Sequence, residues 1–133
     1  METKEALSPE LVRGFVYHAH SNLKRVKELL DQEPRLANAA WDWGGGDWET
    51  GLGAAAHMGR RDIALHLLEK GARMDVFAAA MLGQLEIVQA ILKAFPGTRE
   101  LQGPHGIPLL DHAKAGGEEA ATVAAFLQAP GLA

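Results

Sequence analysis

The sequence predicts an all-α chain built from pairs of short antiparallel helices. Two observations predict it. Runs of small residues stand before glycines: Ala54-Ala55-Ala56 precede Gly59, and Ala78-Ala79-Ala80 precede Gly83. After each glycine come large aliphatics, first Ile63, Leu67 and Leu68, then Ile87, Val88, Ile91 and Leu92. Their offsets place them on one face of a helix. An alanine-rich helix packs close to its neighbours, and the glycine supplies the left-handed turn that ends it. The second helix then turns its aliphatic stripe inward. A unit this small cannot shield its apolar side alone, so the units must stack.

The other elements follow the same logic. Ser8-Pro9 opens a first helix, with a side-chain cap and a proline whose missing N–H is no loss at that position. Leu11, Phe15 and Val16 form its apolar side, Ser21 stands where the glycine is expected, and Val26, Leu29 and Leu30 mark its partner helix. A long loop is expected over Asn38–Glu49. Asp75 is expected to start the next helix directly, with almost no loop before it. A second long loop is expected over Pro96–Gly106. Ile107-Pro108-Leu109 opens a helix that runs through Ala113 to Gly116. Gly117-Glu118 lengthens the turn before a last helix carrying Val123, Phe126 and Leu127.

These residues carry a family resemblance. The stretch Thr50-Gly51-Leu52-Gly53-Ala54-Ala55-Ala56-His57-Met58-Gly59 resembles the ankyrin pattern T-P-L-H-x-A-A-x-x-G, and Leu67-Leu68-Glu69-Lys70-Gly71-Ala72 resembles its L-L-x-x-G-A ending. Ile107-Pro108-Leu109 is similar to T-P-L. The chain thus resembles a small, bacterial-type ankyrin-repeat protein from about Leu11 to Leu127. The resemblance implies a single domain over 1–133, a solenoid of four helix-turn-helix repeats with degenerate terminal repeats. End repeats are degenerate because one of their faces meets water. Gly51 and Gly53 stand where the family has proline and histidine, which weakens the start of that helix. The repeats are unevenly spaced about the family's period of about 33 residues: the interval from Gly59 to Gly83 is short and that from Ser21 to Gly59 is long. One low place is therefore expected between two tall loops.

Composition excludes several classes of function. Of the 133 residues 47% are apolar, enough for one continuous core, yet no apolar run approaches a membrane span. The first residues, Met1 to Glu10, are polar and lack the apolar stretch of a secretory signal. There is no cysteine, which fits a cytoplasmic protein and removes disulfides and thiolate metal sites. The net charge is −4 and the basic residues are scattered, so no nucleic acid is expected as partner.

The candidate chemistry lies in two places. Trp41, Trp43 and Trp48 alternate with Asp42, Asp47 and Glu49 around Gly44-Gly45-Gly46. Such a loop suits a small cationic or aromatic ligand; equally, the indoles can fold back as a satellite core. The resemblance also implies that the two residues before each turn face a concave groove: Ala19 and His20, His57 and Met58, Met81 and Leu82, Lys114 and Ala115. Methionine and leucine there suit an apolar partner, or they pack beneath the second long loop.

The leading expectation is a binding module that takes a protein or peptide partner through the groove and the tryptophan loop. The alternative is a small-molecule or acid–base site walled by Trp41, Trp43, Trp48, Met58 and Met81, with His20, His57 and Asp47 as its polar groups. No cofactor and no metal are expected. No pair of histidines shows helical i, i+4 spacing, and His20, His57 and Asp47 could share an ion only if the fold joined them. His18 and His112 fall where other repeats have alanine and are expected to be packed and hydrogen-bonded. His105 flanks a helix start. Covalent catalysis is not expected, since the only serines are Ser8 and Ser21. Gly51-Leu52-Gly53-Ala54-Ala55-Ala56 matches a dinucleotide fingerprint by letter but follows no apolar strand and lies beside acids. Alanines 120, 121, 124 and 125 would allow a close contact between copies, so a monomer or a weak homodimer is expected.

Overall fold

The computed structural model describes residues 4–129; Met1 to Thr3, at the start of the polar N-terminal stretch, lie outside the described residues. The chain is mostly helical, with one two-stranded sheet. Helix α1 (Pro9–His18) starts where the Ser8 hydroxyl accepts the Leu11 N–H at 3.2 Å. Helix α2 (Leu23–Gln32) is capped by Asn22, whose side chain accepts the Arg25 N–H at 3.0 Å. A 3₁₀ turn, Pro34–Asn38, leads into strands β1 (Ala40–Asp42) and β2 (Trp48–Thr50). Helices α3 (Gly51–His57) and α4 (Arg61–Glu69) form the second pair. Helix α5 (Val76–Met81) begins directly at Asp75, whose carboxylate caps the Ala78 N–H at 2.8 Å, and pairs with α6 (Leu85–Ala94). Short 3₁₀ turns at Pro96–Glu100 and Pro104–Gly106 precede α7 (Leu109–Ala115). A further turn, Gly117–Ala120, precedes α8 (Ala121–Gln128).

The tryptophan segment is a β-hairpin rather than the irregular loop expected from its three glycines. Ala40 pairs with Thr50, Trp41 with Glu49 and Asp42 with Trp48. Aromatic and β-branched residues favour this pleated pairing. The glycines close the turn at φ 135°, 65° and 87°, a region open to glycine. The Asp42 carboxylate ties the turn by accepting the N–H groups of Gly44 and Gly46.

Packing follows chain order. Within each pair α1 meets α2, α3 meets α4, α5 meets α6 and α7 meets α8; between pairs, α1, α3, α5 and α7 touch in succession. Every residue of α3 from Gly51 to Ala56 is buried. A Cβ on Gly51 would stand 2.8 Å from the Phe15 ring, so the small residue allows α3 to lie on α1. The core has two parts, and α5 lies between them. Ala78, Met81 and Leu82 face the cluster around Phe15, Leu52, Ile63 and Leu67, while Val76, Ala79 and Ala80 face that of Val88, Leu92, Leu109 and Val123. Met81 and Leu82 are therefore core residues at 1% and 3% exposure, not groove residues.

His112 is wholly buried, as its alanine-like position predicts. Its Nδ1 donates to the Pro108 carbonyl at 2.9 Å, its ring lies 4.8 Å from that of Phe77, and its Nε2 has no hydrogen-bond partner. Burial pushes its pKa below the ordinary 6.5. Below that value the unfolded chain takes up a proton that the folded chain refuses, so His112 makes folding less favourable as pH falls. Chemical denaturation at pH 7.5 and 5.5 should show a smaller loss of stability in His112→Gln than in the parent. An equal loss in both would remove His112 as a source of acid sensitivity.

Candidate metal centre

Four side chains from four separate segments meet where the hairpin lies against the ends of α1 and α3. His20 follows the last turn of α1, and Glu49 lies in the middle of β2. His57 is the last residue of α3, and His105 sits in the Pro104–Gly106 turn. Strand alternation explains Glu49. Trp48 points to solvent at 62% exposure, so its neighbour must point inward, and Glu49 is 1% exposed.

The three imidazoles converge on this carboxylate. His20 Nε2 stands 3.1 Å from Glu49 Oε1, and His57 Nε2 and His105 Nε2 stand 3.0 and 3.2 Å from Oε2. One ligand atom from each of the four residues can be chosen so that all lie within 4.8 Å of one another. Behind them the rings are oriented by other groups. His20 Nδ1 lies 2.9 Å from the Val16 carbonyl and 3.1 Å from that of Tyr17. His105 Nδ1 lies 2.6 Å from Asp47 Oδ2, and the His105 backbone N–H donates to Asp47 Oδ1 at 2.8 Å. The Trp43 indole N–H donates to Glu49 Oε1 at 2.8 Å. His105 has a φ of 63°, the left-handed region, which costs a non-glycine residue about 1–2 kcal/mol. Its double contact with Asp47 holds it there.

The electrostatics are those of a buried anion among nitrogen donors. Burial pushes the Glu49 pKa up, but His20, His57 and the Trp43 indole outweigh it and hold it down at about 2. The His20 pKa is raised, chiefly by its hydrogen bond with Glu49 against the cost of burial. The Asp47 pKa is lowered, first by the backbone N–H of His105. One contact stands apart. Glu49 Oε2 and His57 Nε2 are both buried and face each other at 3.0 Å, at hydrogen-bond distance but out of alignment for one. Buried polar atoms are nearly always satisfied, and this pair can be satisfied by a proton on Nε2 or by a cation bound to both.

The structure sorts the residues that the sequence singled out. His20 and His57 come together as one site. Asp47 does not join them directly; it orients His105. Trp43 holds Glu49, Trp41 packs half-buried on the core, and Trp48 is exposed. Met58 lies beyond His57 at 49% exposure, and Lys114 is exposed on the last turn of α7. The low place expected between the long segments is bridged by the Asp47–His105 contact. A hollow of about 330 Å³ remains beside it, lined by Asp47, Trp48, Phe77 and Gln102 to Pro104. Trp41 and Met81, expected in its wall, belong to the core. Glu49 was expected only as one of three carboxylates of the tryptophan loop, and His105 only as a histidine flanking a helix start. Glu49 was legible only as a hairpin residue of inward parity, and His105 carried no local signal. The chain matches no family model, no curated protein and no solved structure.

Proposed function

We propose that this protein binds one divalent transition-metal ion through His20, His57, His105 and Glu49. The observation that carries the proposal is the direction of the imidazole nitrogens. Nδ1 of His20 faces carbonyl oxygens, which only accept, so it carries a proton. In the neutral ring the lone pair of Nε2 then faces the Glu49 carboxylate, and two lone pairs repel. His105 is in the same position, between Asp47 and Glu49. Either each ring takes a second proton or a single cation lies among the Nε2 atoms. Imidazolium rings 5.0 Å apart, as His20 and His57 are, repel by about 3 kcal/mol at an effective dielectric of 20, which offsets part of the attraction of about 5 kcal/mol between each ring and Glu49. One divalent ion would take the Nε2 lone pairs of the three rings and a Glu49 oxygen together.

The spacing fits. Donors about 2.0–2.2 Å from a metal stand about 2.8–3.1 Å apart at right angles and about 3.3–3.6 Å apart around a tetrahedral ion, and the three carboxylate–imidazole distances, from 3.0 to 3.2 Å, lie closer to the first. The backbone carbonyl behind His20 and the Asp47 carboxylate behind His105 are the outer partners that metal-bound imidazoles use to fix their tautomer. Imidazole and carboxylate donors without thiolate suit zinc, nickel, cobalt or iron(II). Calorimetric titration of chelator-treated protein with zinc should show one equivalent per chain. His57→Ala and Glu49→Gln should each weaken binding by at least about tenfold. Absence of binding, or unchanged affinity in both variants, would refute the proposal.

We infer further that the four helix pairs form an ankyrin-type stack, a reading supported by their chain-order packing and by the glycine turns within the second and third pairs. The partner-binding groove has less support, since Met81 and Leu82 are core residues and His20 and His57 are engaged with Glu49.

A further inference from the structure

The geometry points to a ligand-accepting metal centre, one that takes a small bidentate oxygen anion carried on a flat apolar body. This rests on the metal reading above and names what that site would hold. The donor set is closed below and open above. The Glu49 and His57 side chains are 0% and 10% exposed and form the floor, whereas His20 and His105, at 20% and 33%, form the rim. Four protein donors fill the sphere of a tetrahedral ion, so exchange of ligands here needs an ion that takes six. Nickel, cobalt or iron(II) in six-coordination uses four donors here and keeps two positions. With Glu49 and His57 on the floor, a further ligand would reach such an ion from the side of the rim. Two free positions on that side would suit a chelating pair of oxygens.

Charge and wall chemistry narrow the class. A divalent ion with one carboxylate donor keeps one net positive charge. Asp47 is nearest outside the donors and is taken up by the backbone N–H and ring of His105. A monoanion therefore balances the centre. Above the rim is a hollow of about 250 Å³ lined by Tyr17, His20, Trp43 and His105. It is smaller than the pockets of about 300 Å³ and above that take drug-sized molecules, and it suits a single ring. The Trp43 N–H is already given to Glu49, so the indole offers its carbon surface. Tyr17 stands at 63% exposure, an aromatic side chain left uncovered at the mouth.

The test uses the full chain loaded with cobalt(II), whose visible absorption reports its coordination. Acetohydroxamate and benzohydroxamate present the same chelating oxygens, and only the second carries a ring. Both should shift the cobalt spectrum, with benzohydroxamate binding at least about tenfold more tightly. In cobalt-loaded Tyr17→Ala that preference should shrink to about threefold or less, in line with the strength of aromatic contacts. A cobalt spectrum that neither hydroxamate moves would show a saturated centre and overturn this inference while leaving metal binding intact. Equal affinity for the two would overturn the apolar part. Failure to obtain cobalt absorption before any hydroxamate is added would bring down the metal reading itself, and this inference with it.

Discussion

Adding zinc to the chelator-treated chain is expected to raise its thermal midpoint by about 10–20 °C. The four proposed ligands come from the end of α1, from β2, from the end of α3 and from the Pro104–Gly106 turn. In the unfolded chain these are far apart in sequence, so the ion binds the folded state almost exclusively. Free zinc at about a thousandfold above the dissociation constant then stabilises the fold by about 4 kcal/mol, and a domain of this size gains a few degrees per kcal/mol. Differential scanning calorimetry with and without chelator measures the shift. In His105→Ala the gain should fall by more than half, because one of the four proposed ligands is removed while the backbone N–H at 105 can still bond Asp47. An undiminished gain in His105→Ala would place the stabilising zinc elsewhere.

Gly83→Ala is expected to cost about 3–5 kcal/mol, measured by urea denaturation. Two effects add at this position. Gly83 has a φ of 78°, unfavourable for any side chain. Its missing Cβ would also stand 2.0 Å from the Glu119 carbonyl oxygen, in the turn before α8. Backbone cannot step aside as a flexible side chain can, so α5 and the 117–120 turn must separate. Gly71→Ala is the control. It has a φ of 97° but nothing within 4 Å of its Cβ position, so it should cost only about 1–2 kcal/mol. Equal losses in the two variants would show that backbone strain alone matters and that the close approach does not.

The contrast between these two glycines also shows how far local pattern reaches. That a turn needs glycine at position 83 was legible from the alanines before it and the aliphatics after it. That the glycine must also admit a carbonyl from the turn before the last helix was not, because nothing near position 83 encodes Glu119. The same holds across the fold. Ser8, Asp75 and the period of Ile63, Leu67, Val88 and Leu92 are local signals, and the helices start and pack where those signals put them. The hairpin was missed because three glycines outweighed the pairing preference of the tryptophans flanking them.

The proposed site divides in the same way. His20 and His57 stood out because each stands near the end of the first helix of its pair, and Trp43 because of its unusual neighbourhood. Glu49 and His105 lie far apart in sequence and follow no motif spacing. Local sequence, acting through helix periodicity and capping, determined where each segment bends and which side it buries. Only the tertiary structure decided that one inward strand residue and one residue of a left-handed turn would meet two helix ends. Contacts between distant segments depend on how whole elements stack, and no short-range preference of the chain records that.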